Sequence, residues 1–379
     1  MEQRQIHILH VFDGFRCGGT ELRTCRILNG LKGKYKHTIC TLSGNVDASI
    51  HLEPSVQFSL VHPESASLDP PLNFFHIIRL LLKVRPDLMI AYAWGPIDWL
   101  LVNSLFRVCP SIHAAEGFDD SETFSRKPRR ELIRRVLFNN CAKVVTCSRL
   151  LEKLALQSWK LDRKKVIYIP NGVQPDNFLH RSNRRENHSD PVQLGIVASL
   201  IKLKNHSRLI RCLSRMTGAP SVVLHIAGEG PEKQMLQRLC NNLGVSEKVR
   251  FAGHMGNPSI LLEQLDIFCL SSDVEQMPMA VLEAMAAGLP IVSTAVGDIR
   301  EMVSLENRPF IVRPEIETDY QMALETLIRD RRLRHAIGVK NRIRCGQFYT
   351  EERMINRYDS LYTETASGKN QHSRHLLLY

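Results

Sequence analysis

Short apolar segments alternate with longer amphipathic segments along most of this chain, and this alternation limits the folds that the sequence can adopt. The short segments have the length and β-branched content of buried strands, whereas the longer ones have helical periodicity. Strands that are joined through helices pair in parallel, because a parallel connection needs a long crossover. The sequence therefore predicts an α/β protein with parallel sheets covered by helices.

The strand–helix pattern occurs in two series, which suits a chain of 379 residues that is too long for one compact core. The polar, aperiodic segment NGVQPDNFLHRSNRRENHSDP at 171–191 separates them. We predict two doubly wound, Rossmann-like domains facing each other across a cleft, with ligands at the carboxyl ends of the strands. The predicted boundaries are a first domain over 1–172, a linker over 173–191, a second domain over 192–345, and a C-terminal helix and frayed tail over 346–379. The predicted strands are 6–12, 37–42, 87–92, 110–115, 143–148 and 166–170 in the first series, and 192–199, 221–228, 248–253, 266–271, 290–295 and 309–312 in the second.

Composition and charge narrow the class of protein. The net charge of +11 favours anionic partners such as nucleotides or acidic lipid surfaces. No apolar run reaches the roughly 20 residues of a membrane span, and the opening MEQRQIHILHVF alternates like a strand and predicts no secretory signal. The ten cysteines contain no C-x-x-C pair, so we interpret them as reduced thiols of a cytoplasmic protein.

Three loops that follow predicted strands could hold a phosphate. Gly18 and Gly19 lie between a strand and a helix, where backbone N–H groups attract anions. GEGP, at 228–231, resembles the start of a dinucleotide-binding fingerprint, although no third glycine follows in register. The third loop carries Lys202 and Lys204, either of which could neutralise a pyrophosphate. The alternative for all three is an ordinary turn or a solvated lysine.

The segment EQMPMAVLEAMAAGLP at 275–290 places two glutamates eight positions apart. Pro278 suits the first turn of a helix, so Glu275 is predicted in the preceding loop and Glu283 inside the helix, beside its buried face. A carboxylate beside an apolar face needs a partner. That partner is either a basic side chain or the hydroxyls of a ligand, and the backbone N–H groups of 276–279 could bind a phosphate at the same edge. The alternative is a pair of structural acids that stabilise the helix.

These motifs occur in the order found in glycosyltransferase family 4, the retaining "glycosyl transferases group 1" enzymes of the GT-B fold. The segment from IAGEGPEKQ through VRFAG to EQMPMAVLEAMAAGLP resembles that family closely. YIPNGVQPDNF at 168–178 looks like its interdomain hinge, and VASLIKLKNH at 197–206 resembles its phosphate-binding strand and loop. The first half resembles the family mainly through GGTEL and the strand order.

The resemblance assigns roles to individual residues. It implies that Glu283 binds the ribose of a nucleotide-sugar donor, that Glu275 contacts the sugar, and that Lys204 binds the phosphate. It also places Gly18, Gly19, Ser199, Gln276, Met277 and Pro278 at the donor.

The chain departs from the family pattern at three positions. Ser199 stands where the family often has arginine, so one phosphate contact is lost or comes from Lys202. Gln276 replaces a common glycine. A sugar-contacting histidine of the family corresponds to His113 or to the position of Glu116, and a structural role for His113 is the alternative.

The resemblance implies a hexosyltransferase-like enzyme that moves a sugar from a nucleotide diphosphate-sugar to a hydroxyl acceptor with retention. It would act in polysaccharide, glycolipid or glycosylated-metabolite biosynthesis. The chain has no D-x-D pair, which agrees with a reaction that needs no metal or other cofactor. The alternatives are a sugar-nucleotide epimerase of the same fold and a non-catalytic partner subunit. We expect no nucleic-acid binding.

SRKPRRELIRRVLFNN at 125–140 reads as a basic amphipathic helix, with six Lys/Arg between 126 and 135. Its apolar stripe consists of Leu132, Ile133, Val136 and Leu137. Either this helix lies on the core with its charges in water, or residues 125–137 make a peripheral contact with an anionic membrane at its inner face.

Overall fold

The structure is a computed structural model that describes residues 4–62, 70–117, 122, 126–178, 191–216 and 221–368. It divides into two compact units. The first unit contains residues 1–170 and 352–379, and the second contains residues 171–351. Within the described ranges, no helix combines the length and the apolar character that crossing a bilayer would require.

The first unit is built on a seven-stranded parallel sheet in the order β3-β2-β1-β4-β5-β6-β7. Its strands are β1 (Ile6–Phe12), β2 (Tyr35–Thr41), β3 (Phe58–Val61), β4 (Leu88–Tyr92), β5 (Ser111–Ala115), β6 (Lys143–Thr146) and β7 (Val166–Tyr168). Its helices are α1 (Gly19–Gly30), α2 (Pro70–Val84), α3 (Ile97–Phe106), α4 (Pro128–Asn140) and α5 (Arg149–Gln157), to which the chain later adds α13 (Glu351–Ser367).

Apolar side chains on both faces of this sheet form two cores. One core packs β-strand residues against α1 and α13, and it includes the buried Met354, Tyr358 and Tyr362 of α13. The other core lies against α2, α3, α4 and α5. Parallel strands buried on both faces explain the nearly continuous apolar runs in the sequence. The segment from 352 onward is therefore part of the first unit.

The second unit is built on a six-stranded parallel sheet in the order β10-β9-β8-β11-β12-β13. Its strands are β8 (Val192–Val197), β9 (Val222–Ala227), β10 (Val249–Gly253), β11 (Ile267–Leu270), β12 (Ile291–Thr294) and β13 (Ile311–Val312). Its helices are α6 (His206–Arg215), α7 (Lys233–Asn242), α8 (Ser259–Leu262), α9 (Met279–Ala286), α10 (Ile299–Met302), α11 (Glu317–Arg329) and α12 (Arg331–Phe348).

Both sheets have the doubly wound order that the sequence predicts. In each sheet the chain first builds outward on one side and then returns to the other side of its first strand, so a switch point lies between β1 and β4 and another between β8 and β11. Loops that follow two such strands lead to opposite sides, which opens a crevice at the carboxyl ends. The predicted cleft between the domains stays a prediction.

The structure differs from the predicted boundaries in three places. The first unit ends at Pro170 rather than 172, and residues 173–178 of the predicted linker belong to the second unit, where Val173 and Phe178 are buried in its core. Residues 179–190 lie outside the described part. The predicted C-terminal segment from 346 is divided, because α12 continues to Phe348 and residues from 352 belong to the first unit.

Candidate functional site

The loop after β8 is held against the loop after β9 by backbone contacts. Gly228 has φ +145°, and a Cβ there would lie 2.0 Å from the carbonyl oxygen of Ala198. Gly230 has φ +159°, and its Cβ would lie 2.4 Å from the Leu200 oxygen. The Leu200 N–H donates to the Glu229 oxygen at 2.9 Å. These glycines therefore support the loop that carries Ser199 and Lys204, which is a different role from the dinucleotide-binding fingerprint that GEGP resembles.

Side chains tie the loop after β8 to the loop after β11. Asn205 has φ +42° and caps α6 by accepting from the Arg208 N–H at 3.2 Å. Its side-chain amide donates to both carboxylate oxygens of Asp273 at 3.1 Å. The buried guanidinium of Arg208 donates to the same carboxylate at 2.7 Å. Because β8 and β11 are neighbours at the switch point, these bonds fix the width of the crevice.

Lys204 and Glu275 meet in that crevice. The Nζ of Lys204 lies 2.5 Å from Oε1 of Glu275, and the two side chains are 23% and 9% exposed. Ser272 also donates to Oε1, at 2.7 Å. The cation and the carboxylate predicted to bind a phosphate and a sugar thus neutralise each other across the switch point. A phosphate that binds Lys204 must compete with Glu275.

The residues between Glu275 and α9 are fixed through their backbone oxygens. The Gln276 oxygen accepts from the Asp298 N–H at 2.8 Å, and the Met277 oxygen accepts from the Asn171 side chain at 2.8 Å. Gly297, with φ +55°, allows this approach, since a Cβ there would lie 2.3 Å from the Gln276 oxygen. The sequence interpretation missed Asn171 and Gly297, although NG in YIPNGVQ was the available signal for Asn171.

The two glutamates lie where the sequence placed them. Glu275 is in the loop, Pro278 immediately precedes α9, and Glu283 is inside the helix with 9% of its surface exposed. More of the helix is buried than one face, since every residue from 281 to 286 is buried. Met279, which was predicted on the buried face, is only half-buried. Substitutions inside α9 therefore need a stability control.

The glycine loop of the first unit also lies at a switch point. Gly18 caps α1 and Gly19 is its first residue, at the end of the loop that joins β1 to α1. A Cβ at Gly19 would have no atom within 4 Å, whereas one at Gly18 would meet the carboxylate of Glu21. Gly19 is exposed, as an anion-binding loop requires, whereas the Gly18 N–H already donates to the Arg16 backbone oxygen at 2.7 Å. The role of Gly18 and Gly19 at the diphosphate stays a prediction.

His113 lies inside the first unit, in the middle of β5. It is 3% exposed and stacks on Phe138 with a ring separation of 3.9 Å. Burial, with the positive charge of Arg134 second, lowers the pKa of His113 to about 3. This placement favours the structural alternative over the catalytic interpretation, because a stacked, enclosed imidazole does not meet a sugar.

Glu116 instead lies just beyond the carboxyl end of β5. Its carboxylate pairs with the buried Arg23 and lies 3.3 Å from the Thr20 hydroxyl, which donates to it. Both partners belong to α1, so Glu116 is held beside the helix that follows Gly18 and Gly19. Of the two positions that the sequence left open, Glu116 is the one at the edge where a ligand would bind.

The basic helix is partly an interior element. Arg134 is 4% exposed and donates to Glu122 and Glu131, while Arg130 also pairs with Glu122. Burial acts to raise the pKa of Glu122, but the hydrogen bonds from Arg134 and Arg130 outweigh it and lower the value to about 2. The charges that remain exposed are Arg126, Lys127, Arg129 and Arg135, beside the exposed Leu132 and Val136.

Comparison with known families matches both halves of the chain. The model described as "Glycosyltransferase Family 4" matches residues 17–177, and that described as "Glycosyl transferases group 1" matches residues 180–344. The chain belongs to glycosyltransferase family 4. Family 4 membership confirms the resemblance that the motifs indicated, and the two models match the two halves of the doubly wound architecture.

Relatives of this family 4 chain include proteins of several named activities. It is 25% identical to N-acetyl-alpha-D-glucosaminyl L-malate synthase of Bacillus anthracis over 44% of each chain, so it spans under half of that relative. It is 26% identical to D-inositol 3-phosphate glycosyltransferase of Stackebrandtia nassauensis over 81% of this chain and 69% of the other. Anabaena Alr3699/HepE in complex with UDP shares the fold, with a TM-score of 0.77, 17% identity, and coverage of 95% and 100%.

Proposed function

We propose that this protein is a retaining glycosyltransferase that moves a sugar from a nucleotide diphosphate-sugar to a hydroxyl acceptor. The observation that carries the proposal is the meeting of Lys204 and Glu275, 2.5 Å apart, from the two loops that border the switch point. Ligands of open α/β sheets bind at such a point. The names of the relatives and the UDP bound by the Anabaena neighbour support a nucleotide-sugar donor.

In this proposal the site residues act on different parts of the donor. Lys204 binds the diphosphate, with Ser199 or Lys202 supplying a further contact. Glu275 faces the sugar and Glu283 accepts from the ribose hydroxyls. As the C–O bond to the diphosphate breaks, negative charge develops on the leaving oxygen. Lys204 and the N–H groups that open α9 stabilise that charge without a metal.

We expect a nucleoside diphosphate to stabilise the second unit, and EDTA to leave the effect unchanged. At about 100 times its Kd the ligand should add roughly 2.7 kcal/mol to the free energy of unfolding. Thermal unfolding with UDP, GDP or ADP measures this. Lys204→Ala should abolish most of the shift, because it removes a charge-assisted contact of about 1.5–3 kcal/mol. Lys248→Ala is the control, since Lys248 is exposed just before the amino end of β10.

The outcomes separate the competing functions. The absence of a shift with all three diphosphates would refute the donor site. A shift that EDTA removes would refute metal independence alone. Binding without any sugar transfer or donor hydrolysis would identify the non-catalytic partner subunit, and interconversion of the donor sugar would identify the epimerase.

We also propose that the exposed side of α4 contacts an anionic membrane near the acceptor. Arg126, Lys127, Arg129 and Arg135 are exposed on the same segment as Leu132 and Val136, which are 62% and 54% exposed. Cations beside exposed apolar side chains suit the interface of an acidic bilayer, where each Lys or Arg contributes about 1 kcal/mol. This surface excludes Arg130 and Arg134, which bind Glu122 inside the unit.

We expect the protein to co-sediment with vesicles of phosphatidylglycerol and phosphatidylcholine, and to bind pure phosphatidylcholine weakly. The double variant R129Q/R135Q should weaken binding to acidic vesicles roughly 30-fold, as two lost charges imply. R329Q/R332Q, a change of equal charge at exposed positions of the second unit, is the control. Equal losses in the two double variants would show that net charge, rather than α4, decides the interaction.

A further inference from the structure

Two adjacent serines, Ser271 and Ser272, follow the last residue of β11, and both are fully buried. Successive side chains of an extended segment point to opposite sides, so neighbours can serve different partners. The Ser271 hydroxyl donates to the backbone oxygen of Lys204 at 3.1 Å. The Ser272 hydroxyl donates to Oε1 of Glu275 at 2.7 Å. Adjacent residues therefore contact different partners. Ser271 contacts the loop that carries Lys204, and Ser272 contacts the carboxylate of Glu275.

Ser272 is placed to hold Glu275 when Lys204 is engaged elsewhere. Both Lys204 and Ser272 donate to the same carboxylate oxygen. A phosphate that draws the lysine away leaves the serine hydroxyl in place. Ser272 is itself fixed, because the Thr294 hydroxyl donates to its backbone oxygen at 2.5 Å. The buried hydroxyl thus restricts the rotamer of Glu275 independently of the lysine.

Ser271 is placed to hold the loop of Lys204. Besides its bond to the Lys204 oxygen, its own backbone oxygen accepts from the guanidinium of Arg208. Arg208 also binds Asp273, which accepts from Asn205 directly after Lys204. This network fixes the backbone from which the lysine side chain extends, and it makes no contact with the Glu275 carboxylate.

We propose that Ser272 is a positioning residue for Glu275 and that Ser271 is a positioning residue for Lys204. On the proposed function, on which this inference rests, Ser272 governs the step at the sugar and Ser271 governs affinity for the diphosphate. Ser272 would therefore affect mainly the turnover number, and Ser271 would affect mainly the affinity for the donor.

The test compares Ser272→Ala and Ser271→Ala in the full chain. The measurements are the Kd for the bare diphosphate by calorimetry, and kcat and KM for hydrolysis of the nucleotide-sugar that stabilises the wild type most. Loss of a hydrogen bond of about 1.4 kcal/mol, within the range for bonds to neutral and to charged groups, corresponds to a tenfold effect. We expect Ser272→Ala to lower kcat about tenfold with Kd nearly unchanged. Ser271→Ala should raise Kd and KM about tenfold with kcat nearly unchanged.

Further variants separate positioning from folding. Ser272→Cys keeps a weak donor in a similar volume and should lie between wild type and Ser272→Ala in kcat. Ser304 is buried in the same unit, and its hydroxyl has no hydrogen-bond partner within the described residues, so Ser304→Ala should change neither constant.

The division between the serines is overturned if both variants change the same constant, or if they lower the melting temperature without changing either constant. In those cases a wild type that binds the diphosphate and turns over the donor still supports the proposed function. A wild type that neither binds any diphosphate nor cleaves any nucleotide-sugar refutes both together.

Discussion

Glu275→Gln is expected to lower the turnover number by about a hundredfold while the affinity for the bare diphosphate stays the same or rises. Electrostatic groups that act on developing charge have effects of this size. The structure adds the second half of the prediction, because Glu275 holds Lys204 at 2.5 Å. Glutamine removes that competing negative charge and leaves the lysine available to phosphate. Steady-state kinetics of donor hydrolysis and calorimetry with the diphosphate measure the two parts.

Glu283→Gln is the matched comparison, since it makes the same chemical change eight residues later. It should weaken the binding of every nucleotide, with or without a sugar, because glutamine accepts weaker hydrogen bonds from the ribose hydroxyls than glutamate does. If Glu275→Gln weakens the bare diphosphate as much as Glu283→Gln does, the two roles are assigned wrongly. If both variants change only the melting temperature, the two carboxylates stabilise the helix and have no role in the reaction.

Arg134→Ala is expected to destabilise the first unit by about 1.5–3 kcal/mol, because the buried carboxylate of Glu122 loses its charged, two-point partner and keeps only Arg130 and the Lys127 N–H. Arg134 donates to both carboxylate oxygens of Glu122, at 3.0 and 2.6 Å, and Glu122 has no exposed side-chain surface. Its guanidinium also lies 4.7 Å from the ring centre of Trp94. Without it, burial should raise the pKa of Glu122 from about 2.

Arg135→Ala is the control for that change, because the neighbouring side chain is exposed and should alter stability by no more than about 0.5 kcal/mol. All three tryptophans of the chain, Trp94, Trp99 and Trp159, belong to the first unit, so urea unfolding followed by tryptophan fluorescence reports on that unit. The double variant R134M/E122Q should recover part of the loss. If Arg134→Ala and Arg135→Ala lower the free energy of unfolding equally, the ion pairs around Glu122 do not stabilise the first unit.

Most of the fold could be predicted because parallel strands that are buried on both faces consist of continuous apolar runs, which are visible in the sequence. Every strand predicted in the two series is present, and its ends agree with the prediction within two residues. β3 was missed because it is an edge strand of only four residues, FSLV, whose apolar residues are interrupted by a serine. α11 and α12 are separate helices, because Asp330 caps α12 by accepting from the Leu333 N–H and so starts a new element.

The site could be predicted only where spacing along the chain encodes it. Glu275 and Glu283 are close in sequence, and so their places before and inside α9 followed from helix rules. Contacts between distant residues left no such signal, and the pairing of Lys204 with Glu275 is one of them. The burial of Arg134 was missed for the same reason. Its partner Glu122 lies twelve residues away, so the sequence showed only a run of cations that could all lie in water.

The return of α13 to the first unit has a consequence for how the protein is made. Residues 171–351 form a continuous unit, so on the ribosome they can fold as soon as they emerge. The first unit begins earlier but lacks part of its core, because Met354, Tyr358 and Tyr362 are translated only after the whole second unit. Nascent chains must therefore keep an incomplete apolar sheet face from aggregating while about 180 further residues are added. A stop codon shortly after 351 would damage the unit encoded first and spare the unit encoded last.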